Sequence, residues 1–185
     1  MLKELEKCLK AEQKDKTIFD IVIYGSAVKG KREPNDIDIV VIFREGDLKK
    51  RLNKIQAIKK EIKLNQNVDI KGILLEELFH HDFFARCGIF LEGISLFDGK
   101  PFAHKIDFAG FSLFVYDLKN KNHTEKVKFN YVLSGRSTNG ILKNLEGKSL
   151  GPGVVQIPLR NSLEFEEVLN THSVNYTKKN ILIQQ

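Results

Sequence analysis

Asp36 and Asp38, two carboxylates two residues apart at the start of an apolar run, are the residues best placed to do chemistry. The run that follows them, Ile39-Val40-Val41-Ile42-Phe43, is β-branched and reads as a buried strand. Side chains at i and i+2 of a strand point the same way, so both carboxylates lie on one face. Two such charges repel, and burying them uncompensated is costly. A divalent cation resolves the conflict, and Mg²⁺ is commonly held by one or two carboxylates with substrate phosphates and water. Upstream, the apolar run Ile21-Val22-Ile23-Tyr24 is stopped by Gly25-Ser26. Glycine lets backbone approach a phosphate, and amides at a following helix N-terminus point at the anion. A phosphate cradle facing a metal-binding carboxylate pair is equipment for phosphoryl or nucleotidyl transfer by two-metal chemistry. Lys29, Lys31 and Arg32 lie between the two halves. They read either as a solvated loop or as contacts for a triphosphate. With Gly25 and Ser26, Lys29 and Arg32 are the candidate nucleotide-binding residues.

The segment GSAVKG followed by NDIDI resembles the nucleotidyltransferase superfamily of DNA polymerase β, and most of all its small prokaryotic minimal nucleotidyltransferase (MNT) proteins. The shared pattern is Gly-Ser, a spacer, then Asp-x-Asp between apolar residues. The resemblance covers residues 1–100 and includes FLEGISLFDG, which looks like the usual end of such a domain. It implies a third carboxylate on a later strand, which Asp69 in NVDIKGI supplies. It also implies that Asp36, Asp38 and Asp69 are both the catalytic and the metal residues, holding two Mg²⁺ (or Mn²⁺) ions. The expected reaction moves a nucleoside monophosphate from an NTP, ATP first among them, to an acceptor hydroxyl with release of pyrophosphate. RNA, a protein and a small molecule are all open as acceptor. The resemblance carries two alternatives. One is an MNT-type antitoxin or regulatory partner of a helical HEPN-like toxin, and the other a nucleotide-binding module without transfer activity.

The elements that must position these residues are legible around them. Leu2, Leu5, Cys8 and Leu9 make the stripe of a helix from Leu2 to about Asp15. Strands are expected at Ile18–Tyr24, over the Asp-x-Asp run, and at Val68–Leu74, where alternation puts Asp69 on one face with Lys71 and Ile73. Asp47 is a helix N-cap, and Leu48, Leu52, Ile55, Ile58 and Ile62 recur at helical spacing to about Leu64. Glu76–Cys87 reads as a helix. Within it His80, His81 and Asp82 point in different directions and do not converge on an ion. After Lys100-Pro101 the character changes. Phe108–Leu118 and KVKFNYVL (residues 126–133) read as the two strands of a hairpin around NKNH. A short helix near Ile141, a strand at VVQIP, a helix from Asn161 or Ser162 to Asn170 and a strand at residues 180–183 follow. The expected fold class is α/β (α+β). It consists of a nucleotidyltransferase domain over 1–100, with a small mixed sheet carrying helices on one side, and a smaller α+β module of unknown role over 101–185.

The composition fits this reading and excludes others. The 185 residues are 42% hydrophobic and 29% charged, globular values with length for a sizeable core. Residues 1–100 hold 19 basic and 17 acidic residues, a net of +2, and the remainder 11 and 7, a net of +4, matching the overall +6. Mild basicity suits a polyanionic substrate without requiring one. Cys8 and Cys87 stand alone, which speaks against a structural zinc site or a disulfide framework. No stretch approaches the ~18 apolar residues of a membrane span, and the charged N-terminus lacks a signal core, so a cytoplasmic location is expected.

Overall fold

The computed structural model describes residues 2–28, 36–64, 66–136 and 139–185. They divide into two compact units, Met1–Ala109 and Gly110–Gln185. The first unit is built on a four-stranded sheet in the order β3-β2-β1-β4, formed by β1 (Ile18–Tyr24), β2 (Asp36–Phe43), β3 (Asn67–Leu74) and β4 (Ile94–Ser95). β1 runs antiparallel to β2 and β4, while β2 and β3 are parallel, so the sheet is mixed as the sequence suggested. Residue parity along the strands decides which core each side chain joins. Ile21, Ile23, Ile37, Ile39, Val41 and Phe43 face α1 (Leu2–Leu9) and α2 (Leu48–Glu61), where Leu5, Leu9 and Ile58 are buried against them. Val22, Tyr24, Val40, Ile42 and Ile73 face the other way, onto Leu78, Ile89 and Phe102. Helices were expected on one side only. Both faces are in fact covered, because β2 is apolar at odd and even positions alike from Ile39 to Phe43 and neither set tolerates water. Each such side chain contributes roughly 1.5–3 kcal/mol on burial.

Two helices of this unit depart from the expected pattern. Asp47 does cap α2, its Oδ1 accepting from Lys50 N at 2.8 Å. Yet Leu48 and Leu52 are exposed, and only the stripe from Ile55 onward meets the sheet. Basic residues on α2 are tied to carboxylates: Lys54 to Glu12 and Asp15 at 2.5 and 3.0 Å, and Arg51 to Glu77 at 3.1 Å. The second departure is the expected helix over Glu76–Cys87. A 3-10 turn at Glu77–Phe79 stands there, and α3 forms only at Arg86–Glu92. The Glu77 carboxylate is drawn back onto Leu74 N and Arg51, and Arg86 Nη1 donates to the His80 carbonyl at 2.8 Å. These tethers hold the intervening chain in turns. Past α3, Lys105 Nζ reaches the fully buried Asp20 at 3.0 Å, and Ser95 Oγ donates to Asp20 at 2.9 Å. Burial holds the Asp20 carboxyl above its ordinary range, against the pull of Lys105, Ser95 and Ile21 N.

The second unit has its own sheet, ordered β6-β7-β5-β8, from β5 (Phe108–Asp117), β6 (Lys148–Gly151), β7 (Val154–Pro158) and β8 (Asn175–Gln184). Its core gathers Phe114, Val155 and Ile157 from the strands. The helices α4 (His123–Ser134) and α6 (Ser162–Thr171) add Phe129, Leu133, Phe165 and Leu169, and the short α5 (Ile141–Asn144) packs Ile141 and Leu142 beside them. The hairpin expected of residues 108–133 is therefore half right: KVKFNYVL is helical. Its alternation is misleading, because Phe129 and Leu133 lie four residues apart on the buried face while Tyr131 is exposed. The deciding signal is Asn122. Its Oδ1 accepts from Glu125 N at 3.0 Å, and Glu125 Oε2 accepts from Asn122 N at 2.9 Å. This reciprocal capping box satisfies two amides that a helix start leaves open. Asn122→Ala should cost about 1 kcal/mol and lower the thermal midpoint by about 3 °C. A midpoint equal to the parent's in calorimetry would show that α4 does not depend on its cap.

Candidate active site

The strand registers bring the predicted carboxylates to one corner of the first sheet. Asp38 of β2 pairs in register with Tyr24 of β1 on one side and Asp69 of β3 on the other. Cross-strand neighbours in register point to the same face. Tyr24, Asp38 and Asp69 therefore form one row, on the face that continues inward as Val22, Val40 and Lys71. Asp36 lies one step further out, opposite Asn67, on the same face as Asp38. The apolar row beneath this corner is what fixes it. A one-residue slip of β2 would drive Val40 and Ile42 out of one core and turn Asp36 and Asp38 toward the other.

Gly25 and Ser26 follow Tyr24 in a 3-10 turn, Gly25–Ala27, that ends β1 beside the row. Ala27 and Val28 pack against the first core and hold the turn down. Gly25 has φ +76°, which glycine alone adopts freely, and a Cβ built on it would lie 2.5 Å from Asp38 Oδ2. The backbone of the Gly-Ser turn and the middle carboxylate are thus in direct apposition, and only a hydrogen side chain fits between them. The basic segment that follows the turn, expected as a short helix or loop with Lys29, Lys31 and Arg32, lies outside the described residues.

Electrostatics spread the carboxylates onto separate partners, as like charges require. Asp36 Oδ1 accepts from Asn67 Nδ2 at 3.0 Å, and Asp69 Oδ2 faces Lys71 Nζ at 3.6 Å with both side chains more than half exposed. Among the described residues no three His, Cys, Asp or Glu side chains converge tightly enough to enclose an ion. What the corner offers is a set of hard oxygen donors on one face beside a glycine turn, the donor chemistry that suits Mg²⁺ rather than a soft metal. Tyr24 was not singled out from the sequence. The residue is 8% exposed, and burial, with Asp38 and Asp69 adding to it, pushes the phenol up to about 12. Its place in the row depends on the β1–β2 register, which the long connection between the strands keeps out of view of any sequence pattern.

Cavity size does not pick out this corner. A cavity of about 770 Å³ lies in the second unit among Tyr116, Asn130, Leu142, Ser149 and Val155, and one of about 420 Å³ lies near Arg44, Gly46 and Phe79. Neither is lined by Gly25, Ser26 or the aspartates. Among the described residues it is the oxygen donors that mark the corner.

Residues 6–97 match the family model described as "Polymerase beta, Nucleotidyltransferase". No curated protein matches the chain. No described helix is long and apolar enough to cross a membrane. The matched segment runs from α1 through the 3-10 turn, the Asp-x-Asp strand and β3 to the end of the first sheet. That match supports nucleotidyltransferase activity in general, in a family that generally uses divalent metals and in which some members are not enzymes. The mixed sheet, with the Gly-Ser turn and the Asp-x-Asp strand side by side within the matched span, makes residues 6–97 a segment of the polymerase β-like nucleotidyltransferase superfamily.

Proposed function

We propose that the chain is a divalent-metal-dependent nucleotidyltransferase, moving a nucleoside monophosphate from an NTP to an acceptor hydroxyl with loss of pyrophosphate. The observation that carries this reading is the apposition of Gly25 and Asp38, which puts a backbone surface fit for phosphate against a carboxylate fit for the phosphate's metal. Asp36 and Asp38 would hold the cation that carries the triphosphate, and Asp69, across the row, the cation nearer the acceptor. Bound there, the metal supplies charge neutralisation on the phosphates and at the attacking oxygen. Ser26 and the turn amides hold the outer phosphates, and Lys29 and Arg32 are further candidates for that contact. Asp69 is the group placed to assist loss of the acceptor's proton. Such a site works by positioning and electrostatics, with no covalent intermediate on the protein.

Linkage tests the binding half of this reading. A ligand that binds only the folded chain raises its stability by about 2.7 kcal/mol at a concentration 100 times its Kd. Mg²⁺ with a nonhydrolysable ATP analogue should raise the thermal midpoint by several degrees, and either alone should do less, because phosphates and carboxylates complete one another's coordination. An unchanged midpoint at millimolar Mg²⁺ and analogue would contradict nucleotide binding at this site.

A further inference from the structure

Tyr24 is the member of the carboxylate row that the proposed chemistry leaves unused. Its ring is buried with Val22, Leu78, Ile89 and Phe102. Its hydroxyl makes no hydrogen bond among the described residues, and burial and the two carboxylates are what act on it. The hydroxyl is not among the fully buried polar atoms left without a partner, so it is open to a ligand oxygen, and a tyrosine with a buried ring and an accessible tip is suited to that contact. A phenol is a neutral donor at working pH, so it complements an anion where a further carboxylate would repel one.

Its position says which anion. The order β3-β2-β1 places Asp69 and Tyr24 on opposite sides of Asp38, roughly 9–10 Å apart across two strand spacings. Asp69 is thus on the far side, and Tyr24 directly precedes Gly25. The side of Asp38 that Tyr24 occupies is the side of the Gly-Ser turn. Resting on the nucleotidyltransferase reading above, we propose that the Tyr24 hydroxyl donates a hydrogen bond to an outer phosphate oxygen of the bound nucleotide. Tyr24 is then a nucleotide-binding residue in addition to the turn and the aspartates, and one that acts on the phosphate chain rather than on the acceptor.

Tyr24→Phe removes the hydroxyl and keeps the ring that fills the core. Calorimetric titration of the full chain with Mg²⁺ and α,β-methylene ATP, and separately with Mg²⁺ and inorganic pyrophosphate, reads the effect. A hydrogen bond to a charged oxygen predicts about tenfold weaker binding of both ligands, with the apo thermal midpoint unchanged. Equal affinity of variant and parent overturns the proposal and leaves the nucleotidyltransferase reading standing. A loss for the ATP analogue but not for pyrophosphate places the contact on the α-phosphate, sugar or base and overturns the assignment to the outer phosphates. A variant that unfolds assigns the hydroxyl to the core and overturns it as well. A parent chain that binds neither ligand brings down the reading and this inference together.

Discussion

Asp38→Asn is expected to abolish nucleotidyl transfer and Mg-NTP binding together, whereas Asp69→Asn should bind Mg-NTP nearly as the parent does and transfer about 10²–10⁴-fold more slowly. The two aspartates are neighbours in one row, so the difference comes from what lies on either side of them. Asp38 abuts the Gly-Ser turn, and on the proposed reading removing its charge would take away the anchor of the cation that carries the triphosphate. Asp36→Asn should behave in the same way. Its amide oxygen still accepts from Asn67, so the fold of the strand end survives the change. Asp69 sits on the far strand, and its proposed contribution would arise as the acceptor loses its proton. An interaction made mainly in the transition state lowers the rate without weakening the ground state. The substitutions are nearly isosteric. At Asp69 the lost contact is an exposed pair with Lys71 worth at most about 1 kcal/mol, and repulsion from Asp38 is relieved at the same time. Apo stability should therefore change little. Nucleotide titration and pyrophosphate release, measured on the same four proteins, separate these outcomes. Parental transfer by Asp69→Asn would remove Asp69 from the site.

The second large effect is at Gly25. Gly25→Val meets two obstacles, a φ of +76° that a β-branched residue resists and a Cβ 2.5 Å from Asp38 Oδ2. Relief requires the carboxylate to swing away or the turn to shift, and either would separate the proposed phosphate cradle from the proposed metal ligand. We expect Mg-NTP affinity to fall roughly 10- to 100-fold, the loss of a contact to a charged group. The strain should cost about 1–3 kcal/mol and lower the thermal midpoint by several degrees without unfolding the chain. Gly25→Ala carries the same Cβ and should show most of the loss in affinity. If both variants bind Mg-NTP as the parent does, the turn is not the phosphate cradle.

The first unit was legible in the sequence where elements are strongly patterned. β1, β2 and β3 fall where the apolar runs and the Gly25 stop put them, and the pairing of Asp38 with Asp69 follows once β2 and β3 are parallel. Tyr24 was not legible, because its neighbour in space is fixed by register across a long connection. Nor was the break in the expected Glu76–Cys87 helix, since Glu77 and Arg86 make tertiary tethers that periodicity does not see. The misreading of α4 is of a different kind. Its helical signal, Asn122 with Glu125 three residues on, was present in the sequence, and the alternation of Val127, Phe129, Tyr131 and Leu133 outweighed it. A four-residue spacing of two large apolar residues behind a capping box is the stronger pattern, because the cap satisfies backbone groups that a strand would satisfy elsewhere.

The central claim, that Asp36, Asp38 and the Gly25-Ser26 turn hold an NTP for attack at its α-phosphate, is tested most directly by the fate of label. The chain is incubated with Mg²⁺, cellular RNA and protein, and ATP labelled at either the α- or the γ-phosphate, beside Asp38→Asn as control. Nucleotidyl transfer predicts that α-label becomes acid-insoluble on an acceptor while γ-label leaves as pyrophosphate, and that Asp38→Asn does neither. Transfer of the γ-label to the acceptor, or α-label incorporation that Asp38→Asn leaves intact, would contradict it.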